Sequence, residues 1–255
     1  MLQEPFAVGT SMVHRIDPRI RIAAVTVYSV IVAVSRHFPT LVTAVGVSLV
    51  LIMLAKLPLR EVIKRIIVVN MFNLLLWLVL PLTFQGPKAF TVGPLNVYHP
   101  GIVMSAQITL KSNAIMLMLL TLIATMAFST FGAALNRLRV PDKLIHLLLM
   151  TYRYVFVMEQ EYQRLIRAAQ IRGFRPGTNI HTYKTYAYII GMLFVRSALR
   201  ADRVYNAMLC RGFKRKFYCL HEFSSGKTEW LFSAAMGAVM LGLLYIEWLN
   251  GSALR

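Results

Sequence analysis

The sequence RLIRAAQIRGF at residues 164–174 and the sequence RVYNAMLCRGF at residues 203–213 are two copies of one pattern, Arg-x3-Ala-x3-Arg-Gly-Phe. Positions four residues apart lie on the same face of an α-helix. Each copy therefore predicts a helix that carries an arginine, a small residue one turn later and a second arginine after one more turn. The repeated positions are Arg164, Ala168, Arg172 and Gly173 in the first copy, and Arg203, Ala207, Arg211 and Gly212 in the second.

The glycine after each second arginine predicts where the two helices end. Glycine commonly terminates helices because it adopts the left-handed conformation without steric cost. A cation near a helix C-terminus is favourable by about 0.3–1 kcal/mol, but this preference does not explain why three positions recur in register. Small residues allow another backbone to approach, and guanidinium groups donate to carboxylates and carbonyls. The repeat therefore favours two similar helix ends that dock on a partner with two similar sites.

The composition indicates an all-α, polytopic membrane protein. Of the 255 residues, 57% are hydrophobic, and the mean hydropathy is +0.60, which is too apolar for an ordinary soluble domain. Runs without charged residues predict about five transmembrane helices, at residues 22–35, 38–55, 66–87, 112–136 and 230–246, with a re-entrant pair as the alternative for the first two. Residues 89–110 are rich in Gly and Pro and predict a loop or shallow hairpin that leads into a helix after Pro100. No Lys, Arg, Asp or Glu falls within the predicted spans to mark an ion path.

The same pattern divides the chain into three regions. Residues 1–136 form a membrane region with four spans, residues 137–228 a region of long amphipathic helices, and residues 229–255 the last transmembrane helix. Of the 28 Lys and Arg residues, 24 lie in segments 1–21, 56–65 and 137–228. Because positive residues are retained on the cytoplasmic side, these segments, the amino terminus and the amphipathic helices are predicted to be cytoplasmic.

The sequence lacks the residue patterns of catalysis, of cofactor binding and of metal binding. Residues His221–Thr228 end like a phosphate-binding loop but lack its first glycine and its preceding strand. The six histidines are not spaced as metal ligands, and neither cysteine is placed to join one. Membrane topology explains the net charge of +18 better than nucleic-acid binding does. We therefore predict no catalytic residue, no cofactor, no metal site and no nucleic-acid partner.

Three segments resemble the transmembrane coupling (T) component of energy-coupling-factor transporters, which are ABC importers, and most closely its cobalt-type branch. They are HRIDPR at residues 14–19, Tyr152-Arg-Tyr with residues 167–174, and residues 196–213. The similarity extends from about residue 10 to residue 250. The family's short motif is Ala-Arg-Gly. Here Ile171 and Cys210 occupy its first position, and each is followed by the expected Arg-Gly.

The resemblance implies a non-catalytic subunit of a four-part importer in the prokaryotic inner cell membrane. Two cytoplasmic ATP-binding subunits would hold the helix ends at Arg172 and Arg211, and a small membrane subunit would bind the substrate. This chain would lie in the lipid bilayer and couple them. The cobalt-type branch implies uptake of Co²⁺ for cobalamin biosynthesis, with the metal held by the substrate-binding subunit. The alternatives are the same role for nickel or a vitamin, and a stand-alone membrane carrier or enzyme.

Overall fold

The computed structural model describes residues 16–83, 87–92, 95–138, 140–213 and 227–252. Among them, residues 16–134 and 227–252 form one compact unit, the membrane unit, and residues 135–213 belong to a second, the paired-helix unit. In chain order the elements are α1 Pro18–Val34, α2 Phe38–Ala55, α3 Leu59–Thr83, β1 Lys88–Val92, β2 Leu95–Tyr98, α4 His99–Leu122, α5 Phe128–Arg137, α6 Asp142–Ile171, α7 Ile180–Cys210 and α8 Lys227–Ser252.

The predicted fold class, an all-α polytopic membrane protein, is confirmed. Helices α2, α3 and α4 and residues Glu229–Asn250 of α8 are long and apolar enough to cross a membrane. Helix α1 has 17 residues, fewer than the roughly 20 that a span requires. The hairpin predicted before Pro100 is an antiparallel pair of strands, β1 and β2, that leads directly into α4.

In the sequence, Asp17 followed by Pro18 predicts an N-cap and the first helical position of the first helix, and the structure confirms this start. Oδ1 of Asp17 accepts a hydrogen bond from the backbone N–H of Arg19 at 2.9 Å, and Pro18 occupies the first helical position. This arrangement satisfies one of the amides that a helix N-terminus leaves without an internal partner. The preceding residues of the motif, His14 and Arg15, lie outside the described ranges.

The predicted fourth span, residues 112–136, is wrong. Helix α4 runs from His99 to Leu122, and a turn separates it from α5. Lys111 therefore lies inside a candidate span, contrary to the prediction that the spans carry no charged side chain. Its ammonium donates to the backbone oxygen of Ala33 at 2.8 Å. Because the last carbonyls of α1 have no helical partner, they accommodate a cation at this position.

Glu247 directly follows the predicted last span, residues 230–246, but lies within the observed span and caps another helix. Oε1 of Glu247, on α8, accepts the backbone N–H of Arg36 at 2.7 Å, and Oε2 accepts the hydroxyl of Thr40 at 2.8 Å. An anion is stabilised at the N-terminus of α2 because the amides there are unpaired and the helix dipole is positive. Glu247 thus ties α8 to the connection between α1 and α2.

Asn70 and Asn73 lie within the apolar run of the predicted third span, where amide side chains are predicted to bond to a neighbouring helix, and amide side chains do link α3 to α4. Nδ2 of Asn73 donates to Oγ of Ser112 at 2.8 Å, and Nδ2 of Asn113 donates to Oδ1 of Asn70 at 3.1 Å. Asn73 is 3% exposed. Polar side chains on facing transmembrane helices stabilise their association because lipid offers them no alternative partner. The prediction that these asparagines bond to a neighbouring helix is confirmed.

Helix α4 also approaches α3 closely at Gly101, and we expect Gly101→Ala to destabilise the membrane unit. A Cβ at this position would lie 2.6 Å from the backbone oxygen of Leu80 and 2.6 Å from Cα of Pro81. Since both atoms belong to backbone, α4 must move away from α3. The expected cost is about 1–3 kcal/mol, measured as a lower melting temperature of the purified protein in detergent.

Gly46→Ala is the matched control for that measurement. Gly46 lies within α2, and a Cβ there would have nothing within 4 Å. Alanine should leave the stability unchanged or raise it by up to about 1 kcal/mol, because alanine favours helix more than glycine does. Equal melting temperatures for the two variants would contradict the close approach of α3 and α4.

Candidate coupling site

The end of α6 has the hydrogen bonds of a Schellman motif. The N–H of Gly173 donates to the carbonyl of Gln170 at 3.0 Å, and the N–H of Phe174 donates to the carbonyl of Ala169 at 3.1 Å. Gly173 has a φ of 86°, the left-handed conformation that this motif requires. Arg172 is therefore the cap residue of α6, held on a defined backbone at the point where the helix stops.

The end of α7 repeats this geometry. The N–H of Gly212 donates to the carbonyl of Leu209 at 2.9 Å, and the N–H of Phe213 donates to the carbonyl of Met208 at 3.0 Å. Gly212 has a φ of 75°, and Arg211 is the cap residue of α7. The sequence repeat is thus a structural repeat, with two arginines presented on the same local backbone. We call these two helix ends the arginine tips.

The phenylalanine of each tip packs against the start of the other helix. The rings of Phe174 and Tyr186, on α7, form a T-shaped pair with centroids 5.7 Å apart, and the ring of Phe213 stacks on His146, on α6, at 5.5 Å. The two helices are therefore antiparallel, and the tips lie at opposite ends of the pair. Helices of 30 and 31 residues are about 45 Å long at 1.5 Å per residue, so the tips are separated by roughly that distance.

All eight residues predicted from the repeat are exposed. They are Arg164, Ala168, Arg172, Gly173, Arg203, Ala207, Arg211 and Gly212. Ile171, in place of the family's alanine, is 87% exposed, and the thiol of Cys210 is also exposed. Each tip is thus an accessible surface with one arginine, which suits a partner that supplies carboxylates or carbonyl groups.

The first arginines of the two copies have different surroundings. Nη1 of Arg164 lies 3.5 Å from Oε2 of Glu161, one turn earlier on α6. Arg203 instead donates from Nε to the carbonyl of Leu199 at 3.2 Å. The structural repeat therefore covers the helix ends themselves but not the arginine two turns before them.

Glu161 is a residue of this unit that the sequence pattern did not single out. It is 6% exposed and accepts a hydrogen bond from Arg196 of α7, while Nη2 of Arg200 lies 3.7 Å from its Oε2. In the sequence, Glu161 stands out only as the neighbour of Glu159, on a different side of α6. Arginines spaced by three or four positions, as on α7, indicate that a buried acid lies close to them. Neither helix alone shows that this acid is Glu161, because the pairing joins two helices.

The surrounding arginines lower the pKa of Glu161. The hydrogen bond from Arg196 is the main cause, burial opposes it, and the charges of Arg196, Arg164 and Arg200 lower the pKa further. Because the pKa in the folded chain is below that of the unfolded chain, the pairing stabilises the fold fully at neutral pH. This contribution is lost as the pH falls through the lowered value.

Within the ranges that the structure describes, no three His, Cys, Asp or Glu side chains come together to hold a metal ion. The loop at His221, which ends like a phosphate-binding loop, lies outside these ranges up to residue 226, and α8 begins at Lys227. Cys219 lies outside them as well.

Comparison with known proteins agrees with the resemblance. The family model of CbiQ, the cobalt transport protein, matches residues 9–218. The energy-coupling factor transporter transmembrane protein EcfT of Leuconostoc gelidum subsp. gasicomitatum is 27% identical, over 96% of this chain and 97% of the relative. EcfT of Bacillus subtilis is 27% identical over 84% and 85%, and that of Acidaminococcus fermentans 26% over 94% and 94%.

The family match covers both arginine tips and most of the chain. The relatives align with this chain over most of their own length. The predicted recognition is therefore confirmed: the chain belongs to the CbiQ cobalt transport family and is similar over most of its length to the transmembrane T components of energy-coupling-factor transporters.

Proposed function

We propose that this chain couples two cytoplasmic ATPases to a small substrate-binding membrane subunit and so drives uptake of cobalt ions. The observation that carries the proposal is the structural repeat at Arg172 and Arg211. Two tips with the same backbone geometry, roughly 45 Å apart, suit a partner that presents the same groove twice. Two ATP-binding subunits related by a two-fold axis are such a partner.

The arginine tips are suited to transmit force as well as to bind. A guanidinium held at a helix end makes directional, forked hydrogen bonds, so a groove that closes on it moves the helix with it. Closure of the ATPase pair on ATP would shift the two tips relative to each other. The long helices α6 and α7 would carry this displacement away from the ATPases toward the membrane.

The exposed apolar side chains of α7 support contact with the lipid bilayer and with the substrate-binding subunit. Tyr188, Ile190 and Phe194 are 76%, 61% and 74% exposed. Exposed apolar surface of this kind marks a membrane or protein interaction site. With the arginine-rich segments on the cytoplasmic side, the chain would be a multi-pass protein of the prokaryotic inner membrane, with its amino terminus and the paired helices in the cytoplasm.

Cobalt is proposed as the substrate because the matching family is the cobalt transport family. The relatives named above carry the general description of energy-coupling factor transporter proteins. Nickel and a vitamin are therefore the other substrates to be tested. In each case the substrate-binding subunit would select the cargo, and this chain would be non-catalytic.

The test is uptake and co-purification in the native host. A tagged copy of this chain should retain two ATP-binding subunits and a small membrane subunit, and deletion of the chain should reduce Co²⁺ uptake to background. Uptake of Ni²⁺ or of a vitamin alone would reassign the substrate. Metal uptake by this chain expressed without ATPases would instead support the stand-alone carrier and contradict the coupling function.

A further inference from the structure

The carboxylate of Glu161 lies where the two long helices meet. On one side of this carboxylate, α6 and α7 line an open groove of about 610 Å³. On the other side they line a second groove of about 560 Å³. Arg196 lines the first groove and Arg200 lines the second. The cluster of Glu161 with Arg164, Arg196 and Arg200, here called the ionic pin, therefore separates the two grooves.

Apolar burial between these helices is sparse. Across α6 and α7, all of whose residues the structure describes, the buried residues are Ile145, Glu161, Thr182 and Ile189. Because hydrophobic contact has no preferred direction, so few buried apolar side chains fix neither the register nor the crossing point of the two helices. A carboxylate hydrogen-bonded to a guanidinium does set them, because the planar fork fixes both distance and orientation.

The charges of the ionic pin make Glu161 essential to its geometry. One carboxylate faces three guanidinium groups, with Arg196 bonded to Oε1 and Arg164 and Arg200 within 3.5 and 3.7 Å of Oε2. Without that carboxylate, three cations from two helices would face one another with no anion between them, and the charged hydrogen bond that joins α6 to α7 would be lost.

We propose that Glu161 is a positioning residue that locks α6 to α7 at one point, so that displacement of the arginine tips reaches the membrane partner instead of being lost as sliding between the helices. This inference rests on the proposed coupling function and assigns the point at which the two helices stay joined while the tips shift relative to each other. It predicts that breaking the ionic pin separates ATP hydrolysis from transport while both tips stay docked.

The experiment uses Glu161→Gln in the complete transporter, with uptake, ATP hydrolysis and ATPase retention measured together. We expect retention like that of the wild type and a substrate uptake per ATP hydrolysed that is reduced by roughly 5- to 150-fold, the usual size of coupling between distant sites. Glu161→Asp keeps the charge and should recover part of the ratio. Glu159→Gln is the matched control, since Glu159 is exposed on the same helix, and it should behave as the wild type.

A wild-type ratio in Glu161→Gln would overturn the inference. If Glu161→Gln instead lowers the amount of protein, the double variant Arg196→Gln/Arg200→Gln decides, because it removes the partners on α7 and leaves Glu161 with Arg164. In this double variant, a reduced substrate uptake per ATP hydrolysed with the ATPases retained supports the proposed role of the ionic pin. Loss of the protein in the double variant as well would show that the ionic pin serves folding and not coupling. Failure of the wild-type chain to retain any ATPase would contradict the proposed function itself.

Discussion

Reversing both tip charges, in Arg172→Glu/Arg211→Glu, should leave the protein in the membrane and remove the ATPases from it. Replacing a cation that pairs with a partner's carboxylates costs about 2–5 kcal/mol when the pair is buried in the interface. At about 2 kcal/mol for each tip, one reversal weakens binding about 30-fold and two weaken it about 1,000-fold. The measurement is the affinity of the purified chain for the purified ATPase pair in detergent, together with co-purification from cells.

The stability of the fold should fall by only about 1–2 kcal/mol in this variant, because both arginines are exposed cap residues and what is lost is the favourable interaction of a cation with each helix C-terminus. Lys143→Glu/Lys184→Glu is the matched control. It makes the same change in net charge on exposed lysines near the starts of the same two helices, close to the tips but outside the repeat, and should weaken ATPase binding much less than the tip variant does. If the control loses them equally, the basic surface in general attracts the ATPases and the tips have no special role.

The tips could be predicted from the sequence because their cause is local. A glycine in the left-handed conformation and an arginine next to it are set by adjacent residues, so the repeat places Gly173 and Gly212 at helix ends without any knowledge of contacts between helices. The same holds for Asp17 and Pro18 at the start of α1, where the capping bond joins residues two apart. Local signals of this kind do not depend on how the rest of the chain packs.

Long-range pairs limit the rest of the prediction. The sequence pattern makes Lys111 the boundary of a span, because an apolar window cannot show that a carbonyl of α1, 78 residues earlier, accepts a hydrogen bond from its ammonium. Glu161 escapes notice for the same reason, since its partner Arg196 lies 35 residues away on another helix. A charged residue signals the end of a membrane helix only when the fold offers it no partner. The sequence pattern does not show which distant residues the fold brings together as partners.

The glycines of the tips should matter as much as the arginines, and Gly173→Ala/Gly212→Ala tests this by adding one methyl group at each. A Cβ at either position would have nothing within 4 Å, so the substitution causes no clash. Its cost is conformational, about 1–2 kcal/mol for an L-residue held in the left-handed region. A helix end exposed to solvent opens locally at a low cost in free energy. Each substitution should therefore lower the population of the docking conformation about 5- to 30-fold and weaken ATPase binding by that factor.

Gly191→Ala isolates the backbone effect in this experiment. Gly191 is exposed within α7, a methyl group added there would also have nothing within 4 Å, and its φ lies outside the left-handed region. The same chemical change there should leave ATPase binding unaltered and favour the helix by up to about 1 kcal/mol. Wild-type affinity in Gly173→Ala/Gly212→Ala would mean that the partner holds the arginines without the left-handed turn. Weakened binding in the tip variant, with unaltered binding in Gly191→Ala, would show that the turn itself presents them.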